Sequence, residues 1–438
     1  MRFSISELAA QLGGEQVGPD VTVKGASIDT RTAQPGQLYV PIVAERDGHD
    51  FISAALERGA PAYLTAREPI GGTAIVVADT AASLLRLGLV ARERMAGRVV
   101  GITGSVGKTT TKDLLRSCLA SAFRVAANER SFNNELGLPL TLLNAPDDVE
   151  WVVLEMGARD AGHITRLAEV GRPDVGIVTS VAMAHTEYLG DLDGVARAKS
   201  ELVTALPASG LAVLNLDDPR VARMASISPC PVLGYAVEAD AEMRAEHVVL
   251  NDELQPQFEM TTPWGTADVR LALHGIQQVP NALAAAGAAL WCGAALDGVV
   301  AALATATGSP LRMEVRRVPG GPVLVVDCYN ANPASTEAAL RSLAALPRGR
   351  KLALLGVMAE LGPETETEHR RAAQLAESLG IEVVGYQTAR YGPAQVGSAD
   401  EAVTLLRGLG PGDAALVKGS RVARLEEVVQ RYGDATRG

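Results

Sequence analysis

The chain lacks paired cysteines, a long apolar run, an excess of basic charge and any internal repeat. Its four cysteines, Cys118, Cys230, Cys292 and Cys328, lie far apart and form no C-x-x-C pair. That spacing argues against a disulfide scaffold or a zinc ribbon and for buried, reduced thiols. The longest uncharged apolar stretch, Ala282 to Leu296, is mostly alanine and glycine and too short to span a bilayer. Near the start, Glu7 falls where a secretory signal would need an apolar run. A cytoplasmic, soluble protein without membrane insertion is expected. With 40 Lys and Arg against 51 Asp and Glu, the formal charge is −11, which argues against broad nucleic-acid contact. A local site for an anionic ligand stays open, because a few placed cations and Mg²⁺ can serve it.

The composition that is present fits a globular chain, with 47% hydrophobic and 21% charged residues. Its 438 residues are too many for one compact core. From residue 98 the β-rich runs RVVGIT, WVVLEM, DVGIVTS and LAVLN alternate with helical patterns. In TTTKDLLRSCLASA, for example, Leu114, Leu115, Cys118, Leu119 and Ala122 share one face. A second series starts near 311, with VLVVD, KLALLG, IEVVG and DAALVKG. Doubly buried strands separated by helices predict mostly parallel α/β sheets. Residues 240–275 read as irregular or antiparallel, and 281–304 as one alanine-rich buried helix. Residues 1–80 mix a short helix, several strands and turns such as QPGQ and RDGHD. Boundaries near 95 and 310 are expected, giving units at 1–95, 96–310 and 311–438.

The stretch GITGSVGKTTTK at 101–112 follows a strand and opens a helix. Gly104 and Gly107 let the chain curl around a phosphate, with Thr103, Ser105 and Val106 completing the loop. Lys108, expected to be exposed, adds a point charge, and Thr109 offers a hydroxyl to Mg²⁺. The strict pattern would have glycine at 102, where this chain has Ile102. The loop alone does not choose among ATPase, kinase, switch and ligase. Ligands of parallel sheets gather at the strands' carboxyl ends, where Glu155 closes WVVLEMG and His185 follows VTSVAMAH. Each has an ordinary alternative, a surface acid and a structural histidine, and Lys199 in GVARAKSELVTAL reads as a common helix lysine.

Taken together, TGSVGKTT, SFNNELGLPLTLL, VLEMG, AHTEYLG and ARAKSEL resemble the ATP-binding domain of the Mur ligases, which join amino acids or peptides to a UDP-muramoyl precursor of peptidoglycan. LLGVMAELG and VKGSRVARLEEVV resemble that family's C-terminal domain, and IDTRTAQPGQLYVPIVAERDGHDFI its UDP-binding domain. GSVGKTT, the pair Asn133–Asn134 and DCYNANP are most similar to the branch that adds D-alanyl-D-alanine to UDP-N-acetylmuramoyl-tripeptide.

The resemblance implies three domains: a small α/β UDP-binding domain, a P-loop ATPase-like domain with a mostly parallel sheet, and a Rossmann-like C-terminal domain. It implies ATP as cosubstrate and two Mg²⁺ ions, with Lys108 on the phosphates. Thr109 and Glu155 would hold one metal and His185 the other, which Lys199 would face as a CO₂-derived carbamate. Asn281, Arg312 and Asp327 would lie around the nucleotide, Asn133 and Asn134 at the substrate, and Thr30 and Arg31 at the uridine end. A monomer is expected. The chain departs from the family pattern at Gln277 and Gln278 (usually His and Asn), Ser180 (Asn), Val357 (Asp) and Cys328 (an acid or Ser). Two other readings remain. One is a different amide ligase, such as the enzyme adding the third residue or a folylpolyglutamate synthase, against which D-x-Y-N-A-N-P and the UDP-type front domain speak. The other is a P-loop switch or ATPase.

Overall fold

The computed structural model describes residues 1–128, 132–183, 186–347 and 349–435. Among these, three main sheets follow one another along the chain. The first has five strands in the order Glu15–Val17, Thr73–Val76, Ala62–Thr65, Leu38–Tyr39 and Ala26–Ser27, parallel except for the first pairing. A separate two-stranded ribbon pairs Arg2–Ser4 with Thr22–Lys24.

The central sheet has nine strands. Third from one edge is β1 (Arg98–Thr103), flanked by β2 (Trp151–Glu155) and β3 (Val175–Val178), all parallel. β1 to β3 are buried from end to end apart from Arg98, which is why they read as unbroken apolar runs. The far edge, Met243–Leu250, Pro256–Thr262 and Gly265–Arg270, is antiparallel, as expected for 240–275. The third sheet, of six strands, centres on β4 (Val323–Asp327), β5 (Lys351–Leu355) and β6 (Ala414–Lys418), with β6 between the other two.

Helices cover both faces of the central sheet. In chain order they are α1 (Thr80–Arg94), α2 (Lys108–Ala120), α3 (Gly137–Asn144), α4 (His163–Gly171), α5 (Leu192–Thr204) and α6 (Gln278–Trp291), with α2 and α6 on one face and the others on the opposite one. The single helix expected over 281–304 is two, because Gly293 takes φ 102° after α6 and the chain restarts at Leu296–Thr305. The alanine pattern masks that break. Within α2, Leu114, Leu115, Cys118 and Leu119 are buried as predicted, while Ala122 lies past the helix end and is exposed.

The apolar core around α1, α3 and α4 also takes in Phe3, Leu8, Leu38, Leu64 and Ile75, so the first sheet and the central sheet share one interior. At the C-terminal end of α3, Asn144 accepts from the Ala26 amide (3.1 Å) and donates to its carbonyl (2.9 Å). The third sheet is tied on differently. Asp113 of α2 accepts from the amide (2.9 Å) and hydroxyl (2.6 Å) of Ser309. Just beyond, Leu311 and Met313 adopt φ 63° and 49°, left-handed turns unusual for such side chains. Arg312 lies between them. In α7 (Pro333–Ala345), Ser342 donates to Gln277 Oε1 (3.1 Å), so this departure from the family pattern bridges two sheets.

Candidate active site

The loop at 104–107 leaves β1 and enters α2 with Gly104 at φ 144° and Gly107 at φ 88°. A Cβ at Gly107 would lie 2.3 Å from Asn281 Oδ1, and one at Gly104 would lie 1.9 Å from Thr179 Oγ1. Both glycines are therefore required by close approach as well as by φ. Ser180 fastens the loop: its carbonyl accepts from the Ser105 amide (2.9 Å) and its hydroxyl from the Val106 amide (3.1 Å). Thr179 Oγ1 donates to the Val106 carbonyl (2.5 Å). Those two amides are thus engaged within the protein. The first N–H groups of α2, which have no helical acceptor, are the ones left to meet a phosphate.

Lys108 is half-buried rather than exposed, and its Nζ donates to the Gly104 carbonyl (2.6 Å). Burial pushes its ammonium below the usual lysine range and Arg312 adds to the shift, while Glu155 opposes both. Glu155, 1% exposed, accepts from Thr109 Oγ1 (2.9 Å) and Asn133 Nδ2 (2.8 Å), and its amide donates to Asn128 Oδ1 (2.9 Å). Asn134 serves the backbone instead, accepting from the Leu136 and Gly137 amides at the start of α3. Lys199 reaches the same place from α5. It is 2% exposed and forms no ion pair with any described carboxylate. Burial, reinforced by the charge of Lys108 and opposed by Glu201 and Glu155, lowers its pKa to about 7.

The third sheet closes the other side. Arg312 Nη2 donates to Thr109 Oγ1 (3.3 Å), and its guanidinium carbon lies 4.3 Å from the Tyr329 ring centroid. Asp327 pairs with Lys418 at 2.5 Å and accepts from the Met313 amide (3.3 Å). Asn281 donates to Gln278 Oε1 (2.9 Å), so a glutamine here orients the asparagine. Together these residues line a cleft of about 670 Å³ that also includes Asn134, Glu135, Arg159, His163, Asn330 and Arg421.

Most of the sequence candidates thus converge. Thr103 and Gly104 form the loop's buried base instead of the cleft wall. Thr30 and Arg31 lie outside the cleft in the turn after the first sheet's strand Ala26–Ser27, Arg31 paired with Asp29 at 2.7 Å. His185 lies outside the described residues. Sequence reading missed Ser180 as a loop anchor and the Lys418–Asp327 pair, whose members are 91 residues apart. A groove of about 730 Å³ on the third sheet, between Glu366 and Gly392, contains none of the candidates.

The family models match where this cleft is built: the Mur ligase middle domain over residues 102–289, and the Mur ligase, glutamate ligase domain over 311–421. UDP-N-acetylmuramoyl-tripeptide–D-alanyl-D-alanine ligase from Mycobacterium bovis is 37% identical, over 98% of this chain and 97% of its own length. The chain belongs to the Mur ligase family. The crystal structure of MurF from Acinetobacter baumannii superposes with a TM-score of 0.89 at 27% identity, covering 99% of both chains. MurF ligase from Thermotoga maritima in complex with ADP gives 0.84 at 26%, covering 95% of this chain and 98% of that one. This Mur ligase has the three-domain α/β architecture throughout. No helix among its described residues is long and apolar enough to cross a membrane.

The residues present fit the groups that a Mur ligase uses. A helix N-terminus, Lys108 and Arg312 converge as a nucleotide phosphate site requires. Thr109 and Glu155 supply a hydroxyl and a buried carboxylate, the hard oxygen donors Mg²⁺ prefers. At Lys199, burial without a carboxylate partner favours the uncharged amine, the form that can attack CO₂.

Proposed function

We propose that this enzyme is the ADP-forming ligase that joins D-alanyl-D-alanine to UDP-N-acetylmuramoyl-tripeptide. The observation that carries the reading is Glu155, buried between Thr109 of the phosphate loop and Asn133, opposite Arg312 of the third sheet. Lys108 and the start of α2 hold the β- and γ-phosphates, with Asn281, Arg312 and Asp327 around the nucleotide. A carboxylate oxygen of the tripeptide attacks the γ-phosphorus and ADP leaves, giving an acyl phosphate. The amine of D-alanyl-D-alanine then attacks the acyl carbon, a tetrahedral intermediate forms, and phosphate departs as the amide bond closes. Positioning and charge neutralisation supply most of the rate. Closure of the sheets over bound substrates would keep water from the acyl phosphate.

Thr109 and Glu155 would hold one Mg²⁺, and His185 with the Lys199 carbamate a second; such ions neutralise the crowded phosphate and carboxylate charge. Thr30 and Arg31, in the turn after the first sheet's strand Ala26–Ser27, hold the uridine end. One chain carries every one of these residues, which supports a monomer working in the cytoplasm on a soluble nucleotide precursor. The test is phosphate release from ATP with the tripeptide, with and without D-alanyl-D-alanine. Release that requires the dipeptide is expected; equal release without it would identify an ATPase.

A further inference from the structure

The proposed reaction places the third residue of the tripeptide beside Glu155, because that residue carries the reacting carboxylate. Its side chain branches from the adjacent carbon and must fall on a wall of the same cleft. The path by which it arrives is fixed by the fold. α3 runs from Gly137, two residues past the cleft-lining Glu135, to Asn144 against the first sheet, about 12 Å at the helical rise. Asn281 and α6 occupy the opposite face of the central sheet. A chain stretched from the first domain therefore enters past α3 and α4, where the wall is formed by Glu135, Arg159 and His163.

That wall is braced except at one side chain. The Gly157 amide donates to the Asn133 carbonyl (2.8 Å) and the Arg159 amide to His163 Nδ1 (3.3 Å). Glu201 accepts from the Gly162 (2.7 Å) and Thr165 (2.9 Å) amides, holding the start of α4. Glu135 lies 3.4 Å from Arg166 and 3.5 Å from His163 Nε2, so its charge is already offset. Asp160 turns to the Ala161 amide (2.8 Å) and is not part of the cleft lining.

The Arg159 guanidinium, exposed in this wall, pairs with no described carboxylate. The cations across the cleft are engaged: Lys418 with Asp327, Arg421 with Glu426 at 3.0 Å, and Arg312 with Thr109 and Tyr329. A fixed backbone presenting an unpaired guanidinium matches a carboxylate, which it can bind through two parallel hydrogen bonds.

Resting on the ligase reading above, we propose that Arg159 binds a free carboxylate on the side chain of the tripeptide's third residue. The enzyme then selects a diamino dicarboxylic acid there over a diamino monocarboxylic one. The probes are two UDP-N-acetylmuramoyl-tripeptides differing only at that residue, one ending in 2,6-diaminopimelate and one in lysine, assayed by dipeptide-dependent phosphate release. The wild type should show the higher kcat/KM with diaminopimelate. Arg159→Ala should raise KM for that peptide roughly tenfold, the loss of one charge-assisted contact, while KM for the lysine peptide and for ATP moves little. Arg159→Glu should invert the preference. An unchanged KM for ATP certifies the fold of each variant. Equal kcat/KM for both peptides in the wild type, or equal losses for both in Arg159→Ala, overturns the assignment while leaving the ligase intact. No release with either peptide from the wild type overturns the ligase reading, and this one with it.

Discussion

Burial does at Lys199 what nothing in the local sequence announces. The helix ARAKSEL offers an ordinary lysine, and only the fold removes it from water and sets Lys108 nearby. With a pKa near 7, a large share of the amine is unprotonated at neutral pH and open to CO₂. Lys199→Ala should therefore lose most activity and regain part of it when a short carboxylic acid is added. Full activity of the variant would dismiss the role, and loss without rescue would count against the carbamate. By local pattern Glu155 was legible only as a strand-end acid, and its place beside a metal came from the family resemblance; its contacts with Thr109 and Asn133, neither adjacent in sequence, are supplied by the fold. Ser180 was noticed only as a departure from the family pattern. Its task of holding the phosphate loop is set by a neighbouring strand end, which no local pattern encodes.

Strands and helices were easier to read than the contacts between them. β1 to β6 coincide with the apolar runs, because a strand buried on both faces leaves little room for polar residues. The break at Gly293 was hidden because alanine is equally at home on both sides of it. One contact between elements has a pH signature. On α8 (Thr365–Ser378), His369 donates from Nδ1 to the Thr365 carbonyl (2.6 Å) and accepts at Nε2 from the Met358 amide beyond β5 (2.9 Å). That acceptor role requires a neutral ring. Burial, aided by Arg390 and opposed by the Thr365 carbonyl, Glu366 and Glu368, depresses its pKa. The unfolded chain then binds the proton first, so this contribution is complete above the ordinary histidine pKa of about 6.5 and fades as pH falls below it. Urea midpoints at about pH 7.5 and about pH 5.5 should differ less in His369→Gln than in the wild type. Identical differences would refute this account.

Across the whole molecule, the phosphate end and the uridine end of the proposed substrate site are built on separate sheets. Arg31 is exposed in the turn after the strand Ala26–Ser27 and pairs only with Asp29 among described carboxylates, so its replacement should leave the unfolding midpoint nearly unchanged. Arg31→Ala should raise KM for the UDP-linked tripeptide roughly tenfold and leave that for ATP nearly unchanged, a loss of uniform binding. Parallel increases in both constants would show that the first sheet acts on the nucleotide as well. The order of the sheets was legible because the strand–helix rhythm restarts near 311. The Asp113–Ser309 tie was not, since it joins residues 196 positions apart.

The interior shared by the first two sheets bears on how such a protein is inherited. Phe3, Leu38 and Ile75 pack into the same mass as Leu87, Leu142 and Leu167, so a foreign front segment grafted before residue 96 would meet a surface shaped for other side chains. Exchange of parts by recombination is thereby discouraged at that seam. The third sheet meets the central one through a smaller apolar contact, Leu254 in its core, together with the polar ties of Asp113, Arg312 and Gln277. Fewer side chains would have to change together there.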